Sequence, residues 1–370
     1  MNEKNIIQQK DHIILPKATL MRFMDNKTQR IYYLDLNDLD NISVKSIFPK
    51  SYHSSPNYYN PEYDNRVKKY ETSMGELYKE ILIAIDQKTD INIDADTLKK
   101  QIIDFMTIEF QRSVIADDNM LEKYKNQQQK ENDKFDSLMF QAGMMTAKRI
   151  EYSVNYREKA KSIETFRGYA QNILGTINSA IEATYYNFSP KILYIPENLN
   201  YDFWLPPLHF VGTDQFACFI LSPSIALALY PVLPAGSLMM IADKERVEII
   251  NLRILESISV FNSTYRETVG RKEPLEKLKD RIVKIKSICK TSEHRIIFND
   301  ETFCIHDMNE ALEFIIILYL LYGIHKAAIE IRMKEKNFVH IPPQRYIDSA
   351  PNGITISGHS VLLSAPSGMI

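Results

Sequence analysis

Residues Val211–Val232 read VGTDQFACFILSPSIALALYPV. Two apolar runs, Phe216–Leu221 and Ile225–Tyr230, flank the turn-forming pair Ser222-Pro223. Runs this short and this uniformly apolar, bounded by Pro and Ser, predict two strands meeting at a tight corner. Asp214 follows Thr213 at the head of the first run, with Gln215 beside it. An acid is therefore expected at a strand end. There it either serves chemistry at the sheet's edge or caps the next turn, since aspartate bonds nearby backbone N–H groups.

Outward from this stretch, Ile192–Ile195, Phe203–Val211 and Leu238–Ile241 are also short and apolar and are separated by Pro, Asn or Gly. Together they predict a compact, mostly antiparallel sheet around residues 190–242. Upstream, Gln29–Asp35 reads as a strand and Ser51–Asn65 as a surface loop. Ser73-x-x-Glu76 has capping-box spacing and predicts a helix start. A helix from about Asp96 carries Leu98, Ile102, Phe105 and Met106 on one face. Leu121–Asp136 is almost wholly polar, either a solvated helix between two helical blocks or a mobile arm. Ala160–Phe188 carries Phe166, Ala170, Ile173, Ile177, Ile181, Thr184 and Phe188 at helical steps. Downstream, helical spacing returns at Val247–Val260, Pro274–Ile288 and Met308–Lys334, with a hairpin expected from Arg295–Phe298 and Thr302–Ile305. Helices, then strands, then helices predict an α+β fold, predominantly helical with a small central sheet, over an alternating α/β one. One domain is expected over residues 1–335: helical at about 70–188, sheet at about 190–242, C-terminal helices at about 247–335. Residues 336–370 read as a C-terminal tail or small hairpin extension.

A chain of 370 residues that is 45% hydrophobic can bury a substantial core. Its formal net charge of −2 argues against a wholly basic nucleic-acid binder. A local basic face stays open: Arg266–Lys290 holds nine Lys or Arg against four acids. On a helix these either face a phosphate backbone or form intrahelical ion pairs in solvent. Cys218, Cys289 and Cys304 lie far apart with no Cys-x-x-Cys spacing, which predicts reduced thiols and a cytoplasmic protein. The N-terminal MNEKNIIQQK lacks a signal peptide's apolar core. The apolar run Phe314–Ile324 falls short of the roughly 18–20 residues that span a bilayer, so no membrane span is expected. Abundant Lys, Asn, Ile and Tyr suit an AT-rich bacterial genome.

Gly-rich phosphate loops, His-Glu-x-x-His and Gly-x-Ser-x-Gly do not occur. His209, His294, His306 and His340 are scattered without ligand spacing, so no transition-metal site is predicted. An oxygen-ligand Mg²⁺ site leaves little trace in sequence and stays open as a cofactor.

Four stretches resemble one family in the right order. His12–Phe23, HIILPKATLMRF, resembles an opening H-H-Y-V-P-x-x-Y-L-x-x-F through His12, Pro16, Leu20 and Phe23. Ile31–Asp35, IYYLD, resembles its following strand. Gly212–Phe216 with Ile220–Pro223 resembles T-S-D-N-P and P-L-S-P, and Ile250-Asn251 before Leu252–Val260 resembles its hydrophobic-Asn pair before a helix. The family is the bacterial domain-of-unknown-function 4238 group, and the resemblance covers roughly Asp11–Tyr265. Ile13 stands where a second His is usual, Gln215-Phe216 replaces Asn-Pro, and Ile220 replaces Pro. The resemblance implies positions more than a reaction.

At those positions His12 and Asp214 are candidates for an acid–base pair, with Asn251 beside them or as a helix cap. Thr213 and Gln215 flank Asp214 as binding candidates. Arg22 and Arg253 are candidate anion contacts, because guanidinium forks match carboxylate and phosphate. Two functions are expected from this pattern. One is a hydrolase acting on nucleic acid or nucleotide. The other is a non-catalytic binding or assembly protein, with a protein partner or a second copy, in which the same residues are structural. A role in phage defence suits either.

Overall fold

The computed structural model describes residues 10–56, 58–171, 174–207, 209–212, 216–231, 236–260, 265–292 and 295–298, and then 313–314, 316–318, 320–321, 329–332, 338–341, 353–357 and 360–364. Strand β1 (Lys10–His12) and helix α1 (Lys17–Arg22) come first, then β2 (Ile31–Asp35), β3 (Ser43–Ile47) and β4 (Ser54–Pro56). Helices α2 (Pro61–Gln87), α3 (Ala95–Ala116), α4 (Asp118–Gln141), α5 (Ala147–Lys159), α6 (Ile163–Ala170) and α7 (Leu174–Thr184) form the helical part. The sheet part holds β5 (Phe188–Tyr194), β6 (Phe210–Gly212), β7 (Ala217–Ser222), β8 (Ile225–Pro231) and β9 (Met239–Ile241). After it come α8 (Lys244–Val260), β10 (Glu267–Gly270) and α9 (Lys272–Ile288). Last are β11 (Cys289–Ser292), β12 (Arg295–Phe298), β13 (Ile329–Arg332), β14 (Phe338–Ile341), β15 (Gly353–Ser357) and β16 (Ser360–Ser364). The fold is α+β and predominantly helical.

The central sheet runs β6-β7-β8-β5-β9, antiparallel except for the parallel β5–β9 pair. The corner expected at Ser222-Pro223 joins β7 to β8. Why both strands read as unbroken apolar runs is now plain. Side chains alternate across a pleated strand, and here both faces are covered. Phe219, Leu221, Leu227 and Leu229 pack with Leu77, Ile81, Ile102 and Phe105 of α2 and α3. Cys218, Ile220, Ala226 and Ala228 join the opposite core with Leu20 of α1, Leu255 of α8, Leu278 of α9 and Ile31 and Leu34 of β2. The large residues face the long helices and the smaller ones the crowded side. Each fully buried large side chain contributes about 1.5–3 kcal/mol. A smaller sheet, β10-β2-β3, borders this second core, and a Leu205–Val269 bridge ties it to the segment before β6.

Several boundaries differ from the sequence expectation, each for a local reason. Helix α2 begins at Pro61, inside the expected loop, because Asn60 accepts a hydrogen bond from the Tyr63 N–H and Pro suits the first helical position. Ala160–Phe188 is two helices rather than one, with Ser162 capping α6 and Phe188 already in β5. Among the described residues of Phe203–Val211, only Phe210 and Val211 lie in a strand, β6, beyond the Leu205 bridge. The helix expected to reach Lys334 gives way to β13, where Ile329 and Ile331 alternate with Glu330 and Arg332 at strand period. β12 pairs with β11 and β16, and the expected partner Thr302–Ile305 lies outside the described residues. β15 and β16 form an antiparallel hairpin within the β11-β12-β16-β15-β13-β14 sheet. The polar stretch Leu121–Asp136 is helical, within α4, and only Leu121 of it is buried.

Helix α3 is the organising element. From Phe105 to Ile115 every residue but Phe110 is buried. One side packs on the central sheet; the other meets Tyr63 and Val67 of α2, Leu121 of α4, Tyr156 of α5 and Phe166 of α6 in a third core.

Candidate functional site

Most sequence-predicted site residues that the structure describes turn their polar atoms onto their own fold. Asp243 accepts from the Arg246 N–H at the start of α8, so the cap is Asp243, not Asn251. Asn251 lies buried within the helix. Its Oδ1 accepts from the Trp204 N–H at 2.9 Å and its Nδ2 donates to the Asp202 carbonyl at 2.8 Å. It clamps an irregular segment whose backbone has no ladder partner at those two groups. Arg22 donates to the Leu221 carbonyl at 3.2 Å and lies over the Tyr78 ring at 3.9 Å. Burial pulls its guanidinium below its ordinary value. Arg253 pairs with Glu256 at 2.6 Å, one turn along α8. His12 ends β1 opposite Ser54. Thr213, Asp214 and Gln215 lie outside the described residues, and with them the expected His12–Asp214 pairing.

The β1–β4 ribbon carries a second polar centre. His53 meets Glu267 of β10 through Nε2, and the Tyr52 hydroxyl donates to the same carboxylate. Burial, then the Glu267 charge, pushes the Tyr52 phenol well above its ordinary value. The His53 ring packs edge-on to Tyr52 and Tyr265, and its carbonyl accepts from the Ile13 N–H. Here the carboxylate is answered from two sides, and the pair fastens the ribbon to β10.

A third centre is different. Glu109 and Arg112 lie one turn apart on α3, both buried, and His209 enters from the turn before β6. His209 has a φ of 62°, in the left-handed region that non-glycine residues seldom occupy. Its N–H donates to the Pro206 carbonyl, closing a tight turn that drives the ring inward onto Phe219, 4.2 Å between centroids. Nδ1 of His209 stands 3.5 Å from Oε2 of Glu109. Arg112 donates through Nη2 to Glu71 at 2.6 Å, and its Nη1 approaches Oε1 of Glu109 at 3.3 Å without hydrogen-bond alignment. Burial opposes the guanidinium charge, yet the Glu109 and Glu71 carboxylates outweigh it and raise Arg112 above its ordinary value. Tyr63 adds a phenol that burial pushes up, and Tyr59, ring-packed on Tyr63, donates to the Ile13 carbonyl next to His12.

The contrast is in what stays unpaired. Both ring nitrogens of His209, Oε2 of Glu109, Nε and Nη1 of Arg112 and the Tyr63 hydroxyl have no hydrogen-bond partner. Each such atom costs about 1–3 kcal/mol when buried. Folded proteins seldom keep several together, and functional sites are where they do. Geometrically, a carboxylate next to an imidazole supports acid–base chemistry, and a guanidinium with open edges supports anion recognition. Two carboxylates against one guanidinium leave a local excess of negative charge. Among the described residues, no group of three or more His, Cys, Asp or Glu is placed to hold a metal ion.

The sequence carried a signal for this centre. Leu98, Ile102, Phe105, Glu109 and Arg112 step by four, three, four and three, so two charges continue the stripe that α3 buries. Charges on such a stripe are rare unless paired. His209 had no comparable mark. A depression of about 250 Å³ elsewhere, lined by Lys88, Asp90, Tyr194, Ser237 and Met239 among others, is structural: Asp90 accepts from the Leu238 and Met239 N–H groups.

The chain matches no known family model, no curated protein and no solved structure.

Proposed function

We propose that the chain is a hydrolase acting on a phosphate-bearing substrate, a nucleotide or nucleic acid, at the Glu109–Arg112–His209 centre. The observation that carries this reading is His209, fully buried, with both ring nitrogens unpartnered and a carboxylate 3.5 Å away. In this reading Glu109 orients the imidazole, which takes a proton from water as the water oxygen bonds to phosphorus. The P–O ester bond breaks, and the same proton passes to the departing oxygen. Arg112 turns its open Nε toward the phosphate oxygens, while Nη1 stays beside Glu109. The centre is enclosed, so substrate contact requires the turn carrying His209 to move outward.

The test incubates the protein with DNA, RNA and nucleotides in Mg²⁺ or Mn²⁺. Wild type is compared with Glu109→Gln and with His209→Asn, which tolerates the left-handed backbone. Turnover lost in variants that melt like wild type supports the reading. Turnover kept in both contradicts it.

A second reading, a non-catalytic binding or assembly protein, is favoured by one specific observation. Asn251, Arg22 and Arg253 all spend their polar groups on intramolecular bonds. In either reading the chain is a divergent relative of the domain-of-unknown-function 4238 group on the strength of four short motifs, and a role in phage defence suits both.

A further inference from the structure

Helices α4 and α5 form a hairpin whose outer part belongs to no core. Its contributions to the third core, Leu121, Tyr124, Tyr156 and Ala160 among them, lie at the base. No residue from 125 to 155 joins any of the three cores. At a rise of about 1.5 Å per residue, the stretch from Leu121 to the end of α4 extends roughly 30 Å. The stem is held by its own bonds, although it too exposes Phe135, Ile150, Tyr152 and Val154. Arg149 pairs with Asp136 at 2.6 Å and reaches Asn132, Ser153 donates to Asp136 at 2.5 Å, and Arg157 pairs with Asp133 at 3.2 Å. Gly143, with φ of 65°, ends α4 and turns the chain, and Thr146 caps α5 by accepting from the Arg149 N–H.

The tip that this stem presents is apolar. Ser137–Ala147, SLMFQAGMMTA, contains no charged residue. Phe140 is 75% exposed, Met144 57% and Leu138 55%. The same molecule buries comparable side chains elsewhere, so a fixed stem ending in exposed Phe, Leu and Met is an unfilled contact. The tip's borders say what fills it. Lys134 and Lys148 flank it, both exposed and neither paired with a carboxylate, whereas Asp133 and Asp136 are neutralised by Arg157 and Arg149. The nearest acid without an ionic partner, Glu151, lies further down the stem.

We infer that the α4–α5 tip is a peripheral docking element for an anionic lipid surface. Phe140, Leu138 and Met144 enter the boundary between headgroups and acyl chains, and Lys134 and Lys148 meet the anionic headgroups. A second copy fits less well. Even with Phe135, Ile150, Tyr152 and Val154 of the stem added, the eleven tip residues fall short of the roughly 20–30 per side of a stable protein interface, and a tip-to-tip contact brings like-charged lysines together. No helix of the described residues is long and apolar enough to cross a membrane, and this mode needs none.

The test is flotation of the full chain with vesicles of phosphatidylcholine alone and of phosphatidylcholine with about one-third phosphatidylglycerol. Wild type is expected to bind the anionic vesicles. The double variant Phe140→Asp, Met144→Asp is expected to lose that binding with unchanged melting, since neither residue belongs to a core. Lys134→Glu and Lys148→Glu are each expected to weaken it roughly fivefold or more. No binding to anionic vesicles, equal binding to neutral ones, or full binding by the Asp variant overturns the inference. Concentration-dependent self-association in light scattering, lost in the Asp variant while wild type ignores vesicles, assigns the tip to a second copy instead.

Discussion

Two buried polar places in this molecule have opposite bookkeeping. Asn251 sits inside α8 with both ends of its amide bonded, to the Trp204 N–H and the Asp202 carbonyl. Glu109, Arg112 and His209 sit where α3 meets the turn before β6, with five side-chain nitrogens and oxygens left unpartnered among the three. A completed polar group specifies a fold; an incomplete one weakens it and persists only where something else requires it. Asn251 resembles a family motif position and proves to be a clamp. The Glu109 centre carries no motif and keeps five polar atoms without a hydrogen-bond partner.

The largest expected effect comes from breaking the incomplete centre on one side. Arg112→Met leaves Glu109 and Glu71 without their shared cation, and an unpaired buried charge costs about 3–5 kcal/mol. Chemical denaturation is expected to show that loss, and adding Glu109→Leu to the same chain is expected to recover much of it. If the double variant is no better than the single one, the ion pair is not what the site depends on.

Asn251→Leu comes next. It orphans a buried N–H and a buried carbonyl, for a loss of about 2–4 kcal/mol. Nothing in Asn251's bonding gives it a chemical role, so any turnover should persist in the folded fraction. Normal stability together with abolished turnover would return Asn251 to the site.

Asp90 gives a smaller effect with a pH signature. Burial acts to raise its carboxyl, but bonds from Ser237 and the Leu238, Met239 and Ile91 N–H groups outweigh it, so the folded-state value lies below the ordinary one. A depressed carboxylate contributes stability that is present above the unfolded-state value and lost as pH falls through the folded-state value. Asp90 is exposed, so solvent screens part of this gain, and Asp90→Asn should cost no more than about 0.5 kcal/mol near neutrality and nothing in acid. An equal cost at both ends of the scale would remove the charge from the account. Smallest is His209→Phe, which keeps the ring packed on Phe219 and removes two unsatisfied nitrogens. The left-handed backbone at this position suits phenylalanine less well than histidine, which offsets the gain, so stability is expected to change by less than about 1 kcal/mol.

Strand and helix types were legible in the sequence wherever one period dominated. β7 and β8 read as buried strands because both faces are covered, and Asp94 before α3 marks its start by accepting from the Thr97 N–H. Boundaries failed where a local bond overrode the broad pattern, as with Asn60 at the start of α2 and the alternation of β13. The site was half legible. Glu109 and Arg112 lie on the buried stripe of α3, a signal available from spacing alone. His209 was not legible, since only the left-handed turn after Pro206 brings it to that stripe. Motif positions suggested chemistry at Asn251, Arg22 and Arg253, and what the sequence could not show was that each already has a bonding partner inside the fold.

The most direct test of the central claim measures stability and turnover together for wild type and His209→Phe, across DNA, RNA and nucleotide substrates. The account predicts a variant whose stability stays within about 1 kcal/mol of wild type and that has lost the turnover wild type shows. A variant destabilised by about 2 kcal/mol or more, beside a wild type that turns over none of these substrates, would make His209 a structural residue and contradict the account.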